Sequence, residues 1–266
     1  MAYGIAVEEA GEVDLYRFGR SKQIFRGPKP DLGGGYLTFI GGSATFGKFV
    51  REPYPKLIEN RIGTTCVNLG TPGAGPGFFL KDPVVLETCS RSIKCIVQVM
   101  DIAPLSNRMY EVYPRRNMRL RGVSAVLRSL YPQLDFADFR FVSAMIRKLK
   151  EVDGEAYEVV LAEQRSAWLA RMLELLLDIE TAKTLLWIRP DEDDGMNQSV
   201  TQEMIDVLAS HVDTVLTVSV GESNNLGRGL AGLRKDTGWM TRAVHTKIAS
   251  VISDELQALQ PQKRPA

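Results

Sequence analysis

The stretch that decides the fold is Tyr36-Leu37-Thr38-Phe39-Ile40-Gly41-Gly42-Ser43, an apolar run that ends at two glycines and a serine. Its first five residues are mostly apolar without alternation, which is typical of a strand covered on both faces. The glycines permit a tight turn, and residues 44–50 and 54–62 have the pattern of short helices. This order predicts Ser43 at the carboxyl end of a strand and near a helix N-terminus, where open α/β sheets bind ligands. Gly41, Gly42 and Ser43 are therefore candidate site residues.

Strand and helix patterns alternate along the rest of the chain. Further strand candidates lie at 64–69, 93–100, 183–188 and 213–219, and helical patterns lie at 53–62, 78–91, 119–131, 135–151, 154–179, 199–211 and 240–259. This alternation predicts an α/β fold, a three-layer α/β/α sandwich with a five-stranded, mostly parallel sheet in flavodoxin-like order. We expect residues 1–35 to pack on the domain as a leader, residues 36–260 to form a single domain with a helical insertion at about 105–180, and residues 261–266 to fray.

The composition excludes several classes of protein. The chain has 266 residues, 44% of them hydrophobic, which suffices for one sizeable core. Its 33 Lys and Arg residues balance 32 Asp and Glu residues, whereas nucleic-acid binding calls for a basic excess. There is no apolar run long enough to span a membrane and no secretory signal pattern, and the odd number of cysteines favours a reducing compartment. We expect a cytoplasmic protein with no nucleic-acid partner, no membrane partner and no cofactor or metal.

Three blocks carry a resemblance to a known superfamily. They are residues 39–47, which contain Gly-Gly-Ser, residues 67–75, which contain Asn-Leu-Gly-Thr-Pro-Gly, and residues 97–101, which Ser106-Asn107-Arg108 follows. Together they resemble the SGNH, or GDSL-type, hydrolases, and the whole chain is most similar to an uncharacterised bacterial family of SGNH-like proteins. The resemblance implies an SGNH-type fold with a serine from the first block, a glycine from the second, an asparagine from the third and a late Asp-x-x-His pair.

The chain departs from the superfamily at the first, third and late blocks. Gly42 replaces the aspartate of Gly-Asp-Ser, and Pro104 lies in the stretch where the third block has its asparagine. Superposing residues 236–239 on Asp-x-x-His places Trp239 where the catalytic histidine belongs.

A serine nucleophile needs a base within hydrogen-bond reach, and the chain has only two histidines. His211 follows a helix and is interpreted as a cation at the helix C-terminus. His245, in the closing helix, is the candidate base for Ser43, and Asp236 is the candidate that orients it. The alternative, that His245 is a half-buried helix residue without a catalytic role, stays open.

The second and third blocks offer groups for an oxyanion hole. The backbone N–H groups of Ser43 and Gly73, with or without the side chain of Asn107, would converge beyond the first two strands. The glycines of the second block also fit a flexible turn between strand and helix.

Basic residues are concentrated after the third strand. Six arginines lie between residues 101 and 128, namely Arg108, Arg115, Arg116, Arg119, Arg121 and Arg128. Because guanidinium groups bind phosphate, sulfate and carboxylate, Arg108, Arg115 and Arg116 could form an anion pocket over Ser43 together with Arg26. The alternative is a solvated helix face or pairing with the acids of residues 151–179.

Two functions follow from these features. The first is a serine esterase or acyltransferase acting on an ester of a carbohydrate or of a small anionic molecule. The second is an inactive protein of the same fold that binds a phosphorylated or sulfated ligand through the Gly-Gly-Ser turn and the arginines. A third hypothesis makes the helical insertion an oligomerisation arm, so that the protein could be a homo-oligomer.

Overall fold

A computed structural model describes residues 13–190, 200–220 and 240–258. The first part of the chain forms β1 (Leu15–Tyr16), β2 (Phe25–Arg26), β3 (Tyr36–Ile40), α1 (Ser43–Phe46), α2 (Tyr54–Ile62), β4 (Thr65–Asn68), α3 (Pro76–Phe79), α4 (Pro83–Ser90) and β5 (Lys94–Gln98). An insertion follows with β6 (Tyr110–Tyr113), β7 (Arg116–Val123), α5 (Ala125–Leu130), a 3₁₀ turn (Phe136–Asp138), α6 (Val142–Val152) and α7 (Gly154–Asp178). The last elements are β8 (Lys183–Pro190), α8 (Gln202–Ala209), β9 (Thr214–Val220) and α9 (Arg242–Ala258).

The main sheet has five parallel strands in the order β4-β3-β5-β8-β9. This is the predicted flavodoxin-like order, in which the first strand of the sheet lies between the second and the third. The prediction of an α/β fold with a five-stranded parallel sheet is confirmed. Since β3 pairs with both β4 and β5, the loops that leave the carboxyl ends of these three strands meet above the same part of the sheet.

Each face of the sheet is covered by helices, because nearly every residue of the central strands is apolar and buried. On one face α2 and α9 pack through side chains such as Ile58, Ile248 and Ile252. On the other face α7 packs with Trp168, whose indole nitrogen donates to the carbonyl oxygen of Met100 at 3.0 Å. The sheet is therefore the middle layer of a three-layer sandwich.

The insertion after β5 is not wholly helical. The predicted helix at 119–131 is wrong in its first part, because β6 and β7 pair there as an antiparallel hairpin and the helix begins only after Ser124. The Ser124 hydroxyl accepts the N–H of Leu127 at 3.2 Å, which caps α5. The insertion has its own apolar core, in which Leu127, Tyr131 and Met145 are fully buried.

Two other predicted helices are shorter than expected. The helix expected at 78–91 is divided, since Asp82 caps α4 and accepts a hydrogen bond from the hydroxyl of Ser21 at 2.6 Å. The helix expected at 135–151 begins as a 3₁₀ turn, and α6 starts at Val142. The long helix expected at 154–179 is confirmed as α7.

Within the described residues, none of the helices has the length and apolarity needed to cross a bilayer. The division of the chain into a leader, a single domain and a frayed tail stays a prediction.

A buried ion pair fixes α9 to the amino end of β5. The ammonium of Lys94 lies 2.7 Å from a carboxylate oxygen of Glu255, and the two side chains are 7% and 12% exposed. Because removal of one partner leaves a buried charge unpaired, we expect Lys94→Met to lower the free energy of unfolding by about 3 kcal/mol. The double variant Lys94→Met/Glu255→Leu should recover most of that loss. Denaturant unfolding curves measure both, and equal losses in the single and double variants would contradict the pairing.

Candidate functional site

Ser43 lies where the sequence predicted it, at the carboxyl end of β3. It is the first residue of α1 and its side chain is exposed, whereas Gly41, Gly42 and Ala44 around it are buried. As the first residue of the helix, it has no intrahelical acceptor for its N–H. The helix is a single turn, so it supplies much less of a dipole than the sequence interpretation assumed.

Gln98, the last residue of β5, holds the Gly-Gly-Ser turn in place. Its side-chain oxygen accepts the N–H of Gly42 at 3.2 Å, the N–H of Thr45 at 3.1 Å and the hydroxyl of Thr45 at 2.6 Å. The N–H groups of Gly42 and Thr45 are therefore directed into the protein. Gln98 itself is buried, so these bonds form away from bulk water.

The sequence interpretation did not single out Gln98 or Asn68 as site residues. Asn68, at the end of β4, donates to the carbonyl oxygen of Thr45 at 2.8 Å and accepts the N–H of Gly70 at 2.9 Å. It thus joins the turn after β3 to the loop after β4. A signal for both was present in the sequence, since each is an amide residue at the end of an otherwise apolar strand.

Two positions in these turns require glycine, one because neighbouring side chains pack closely against it and the other because of its backbone conformation. A Cβ on Gly41 would overlap the side chains of Thr45 and Gln98. Gly73 has φ +71°, a left-handed conformation that favours glycine, and it follows Pro72 in a turn closed by the N–H of Ala74 to the carbonyl oxygen of Thr71 at 3.0 Å. The turn after β4 is therefore rigidly shaped, as a binding loop requires.

The hairpin of β6 and β7 contacts this second loop. A Cβ built on Gly73 would lie 2.6 Å from Cγ of Met118, a β7 residue that is 52% exposed. On the other side, a Cβ on Gly42 would lie 3.8 Å from the carbonyl oxygen of Ala74. The Gly-Gly-Ser turn, the Gly73 turn and the hairpin thus follow one another along a continuous surface.

His245, the candidate base, is engaged with the start of α2. It is buried on α9, its Nδ1 accepts the backbone N–H of Tyr54 at 3.1 Å, and its ring stacks on that of Tyr54 with centroids 5.9 Å apart. A neutral imidazole has one accepting nitrogen, and this one is used by Tyr54. Burial, and then the charge of Arg26, lowers the pKa of His245 to about 4.

The second histidine and the aspartate proposed to orient His245 are the other residues considered for a triad. His211 follows α8 and precedes β9, so it lies at the amino end of the strands, opposite Ser43. Asp236 lies outside the described residues.

Asn107, the candidate for the oxyanion hole, holds its own loop. Its side-chain oxygen accepts the N–H groups of Met109 at 2.8 Å and Tyr110 at 3.1 Å, and its amide nitrogen donates to the carbonyl oxygen of Leu105 at 3.2 Å. These bonds hold Asn107 in the turn that precedes β6. Gly73 and the Ser43 amide remain candidates.

Two of the arginines proposed for an anion pocket are engaged elsewhere. Arg26 is buried and donates to backbone carbonyl oxygens, among them those of Val50 at 2.7 Å and Arg51 at 2.8 Å, and burial lowers its pKa. Arg108 forms an ion pair with Glu163, and its Nε donates to that carboxylate at 2.7 Å. The hydrogen bond from Arg108 is the main reason why the pKa of Glu163 is lowered.

Arg115 and Arg116 remain accessible at the tip of the β6–β7 hairpin. Both are exposed, and neither forms an ion pair with another described residue. The register of β6 and β7 shifts at this tip, and Arg116 and Met118 are exposed on either side of the buried Asn117. Arg116 is two residues from Met118, whose side chain contacts the Gly73 turn.

A family described as a domain of unknown function (DUF6473) matches residues 1–260. The chain belongs to this family. The prediction of an uncharacterised family is thereby confirmed. None of the curated proteins compared with the chain matches it.

Several solved structures have similar folds. A protein of the G-D-S-L family from Desulfitobacterium hafniense is 12% identical, with a TM-score of 0.44, over 83% of this chain and 99% of that one. An acetylxylan esterase from Geobacillus stearothermophilus, solved as a catalytic mutant, is 15% identical, with a TM-score of 0.43, over 88% and 98%. A family two carbohydrate esterase from Cellvibrio japonicus is 12% identical, with a TM-score of 0.45, over 88% and 63%. At such identities and TM-scores the likeness carries no conclusion about this chain's activity.

The burial of His245 predicts how stability depends on pH. The unfolded chain protonates this imidazole as the pH falls below about 6.5, whereas the folded protein does so only near pH 4. The contribution of His245 to the free energy of unfolding is therefore fully present above pH 6.5. It falls by roughly 3 kcal/mol as the pH decreases to 4. The matched measurement is denaturant unfolding of the wild type and His245→Asn between pH 7 and pH 4. The variant should lose less stability over this range.

His211→Asn is the control, because it removes the other histidine from the opposite end of the sheet. It should keep the pH dependence of the wild type. Parallel pH profiles for the wild type and His245→Asn would contradict the buried, neutral state of His245.

Proposed function

We propose that this chain binds a small anionic molecule, carrying a phosphate or sulfate group, beside Ser43 and does not cleave it through a Ser-His-Asp triad. The observation that carries the proposal is the hydrogen bond from the Tyr54 N–H to Nδ1 of His245. A base must accept the serine proton. In the neutral ring the accepting nitrogen is occupied, and Nε2 carries the remaining proton.

The hairpin supplies the cations for such a ligand. Arg115 and Arg116 are exposed at the hairpin tip and precede Met118, which contacts the Gly73 turn. Their guanidinium groups match phosphate and sulfate oxygens in bidentate fashion. Arg26 donates to backbone carbonyl oxygens and Arg108 pairs with Glu163, so both already have partners within the fold.

The two turns supply the neutral contacts. The Ser43 hydroxyl is exposed, and its N–H has no intrahelical acceptor, so both can donate to a ligand oxygen. Gly73 lets the second loop approach closely without a side chain.

Anion binding is tested by thermal unfolding in sulfate and in phosphate. At a concentration of about ten times Kd, mass action should raise the Tm of the wild type by about 3 °C. The double variant Arg115→Ala/Arg116→Ala should lose this increase, because it removes the guanidinium groups beside the Gly73 turn. Chloride at equal ionic strength corrects for general salt effects.

The matched control is Arg61→Ala/Arg147→Ala, which removes two exposed arginines from α2 and α6. It should keep the wild-type response. An equal loss in both double variants, or no response of the wild type to either anion, would contradict binding at the hairpin.

A serine esterase or acyltransferase, acting on an ester of a carbohydrate or small anionic molecule, is the second candidate. It is favoured by the exposure of the Ser43 hydroxyl at the carboxyl end of β3, where a nucleophile would have to lie. This function would need a base other than a histidine bonded to Tyr54.

Labelling with a fluorophosphonate separates the two functions. We expect no covalent adduct at Ser43 under conditions that label a serine esterase fully, because the accepting nitrogen of His245, the histidine considered as its base, is bonded to Tyr54. Intact-mass spectrometry of the wild type and Ser43→Ala measures the adduct. Stoichiometric labelling that Ser43→Ala abolishes would refute the binding proposal and establish the esterase.

A further inference from the structure

His245 satisfies a donor that the start of α2 leaves unpaired. The first N–H groups of a helix have no intrahelical acceptor, and Pro53 and Pro55 on either side of Tyr54 have no N–H at all. The N–H of Tyr54 is therefore the only backbone donor among these three residues, and Tyr54 is fully buried. An unpaired buried donor costs about 1–3 kcal/mol, and Nδ1 of His245 removes that cost.

The same imidazole also fixes the ring of Tyr54. The two rings are stacked, with an interplanar angle of 24°. Tyr54 is therefore held by His245 at both its backbone and its side chain, and its hydroxyl is directed to one place.

That place is the hydroxyl of Thr45, 2.7 Å away. The Thr45 hydroxyl donates to the side-chain oxygen of Gln98, which can only accept. The one hydroxyl proton of Thr45 is thereby used, so the Tyr54 hydroxyl must be the donor in the bond between them. A directional chain of hydrogen bonds runs from Tyr54 through Thr45 to Gln98.

Gln98 is the residue that receives the N–H groups of Gly42 and Thr45, on either side of Ser43. We infer that His245 is a positioning residue for the Ser43 turn, acting through Tyr54 and Thr45 on Gln98. This inference rests on the proposed function only in taking the Ser43 turn as the binding site.

Amide hydrogen exchange reads the turn directly and needs no ligand. Tyr54→Phe deletes only the hydroxyl, and it should speed exchange at the amides of Gly42 and Thr45 by about tenfold, the equivalent of one lost hydrogen bond. His245→Leu removes the acceptor for the Tyr54 N–H, and it should speed exchange at the same two amides and at Tyr54. The amides of residues 95–97, in the middle of β5, should stay within about twofold of the wild type.

His245→Asn is the rescue variant, because its amide oxygen can take the position of Nδ1. It should restore slow exchange at Gly42 and Thr45 to within about threefold of the wild type. The double variant Tyr54→Phe/His245→Leu should exchange at these amides no faster than the faster single variant, since both act on one pathway. Should His245→Leu fail to fold, His245→Gln replaces it, because its amide lies beyond the Nδ1 position.

Two results would overturn the inference. One is faster exchange at Tyr54 alone in His245→Leu, with Gly42 and Thr45 unchanged. The other is a uniform increase that includes residues 95–97, which a general loss of stability would produce.

Measuring the affinity for sulfate connects the position of the turn to ligand binding. If the Ser43 turn is the binding site, Tyr54→Phe should weaken sulfate affinity about threefold. Failure of the wild type to bind sulfate would count against the proposed function and leave the exchange result intact.

Discussion

The side-chain oxygen of Gln98 is the constraint on which the rest of the site depends. It accepts three hydrogen bonds from the turn that carries Ser43, and it does so from the end of the strand next to β3. Because that oxygen is buried, the bonds are protected from competition with water. The turn is therefore held by the sheet, and Ser43 is exposed on a backbone that has little freedom to move.

Around this constraint, polar residues that resemble catalytic parts have scaffold roles. His245 accepts a backbone N–H, Asn107 closes its own loop, and Arg26 binds the carbonyl oxygens of the segment after α1. Each one satisfies donors or acceptors that folding would otherwise bury unpaired. Among the groups that stay accessible in the described residues are the Ser43 hydroxyl, Arg115 and Arg116, which suit recognition of an anion.

Much of the fold could be predicted from the sequence, because buried parallel strands form short apolar runs and the five runs alternate with helical patterns. The position of Ser43 followed from the same reasoning. The hairpin at β6 and β7 was not predicted, because the residues around Arg119 and Arg121 are too polar to show a clear alternation of apolar and polar side chains. The partner of His245 could not be predicted either, because the hydrogen bond to Tyr54 joins residues 191 positions apart and only tertiary packing brings them together.

The central claim is that the imidazole of His245 is neutral and accepts a hydrogen bond through Nδ1. NMR of the imidazole nitrogens tests this claim most directly. With ¹⁵N-labelled histidine, the account predicts that His245 carries its proton on Nε2, with Nδ1 unprotonated, and that its shifts do not change between pH 8 and pH 5. His211→Asn assigns the two histidines. A proton on Nδ1, or a titration of His245 near pH 6.5, would contradict the account.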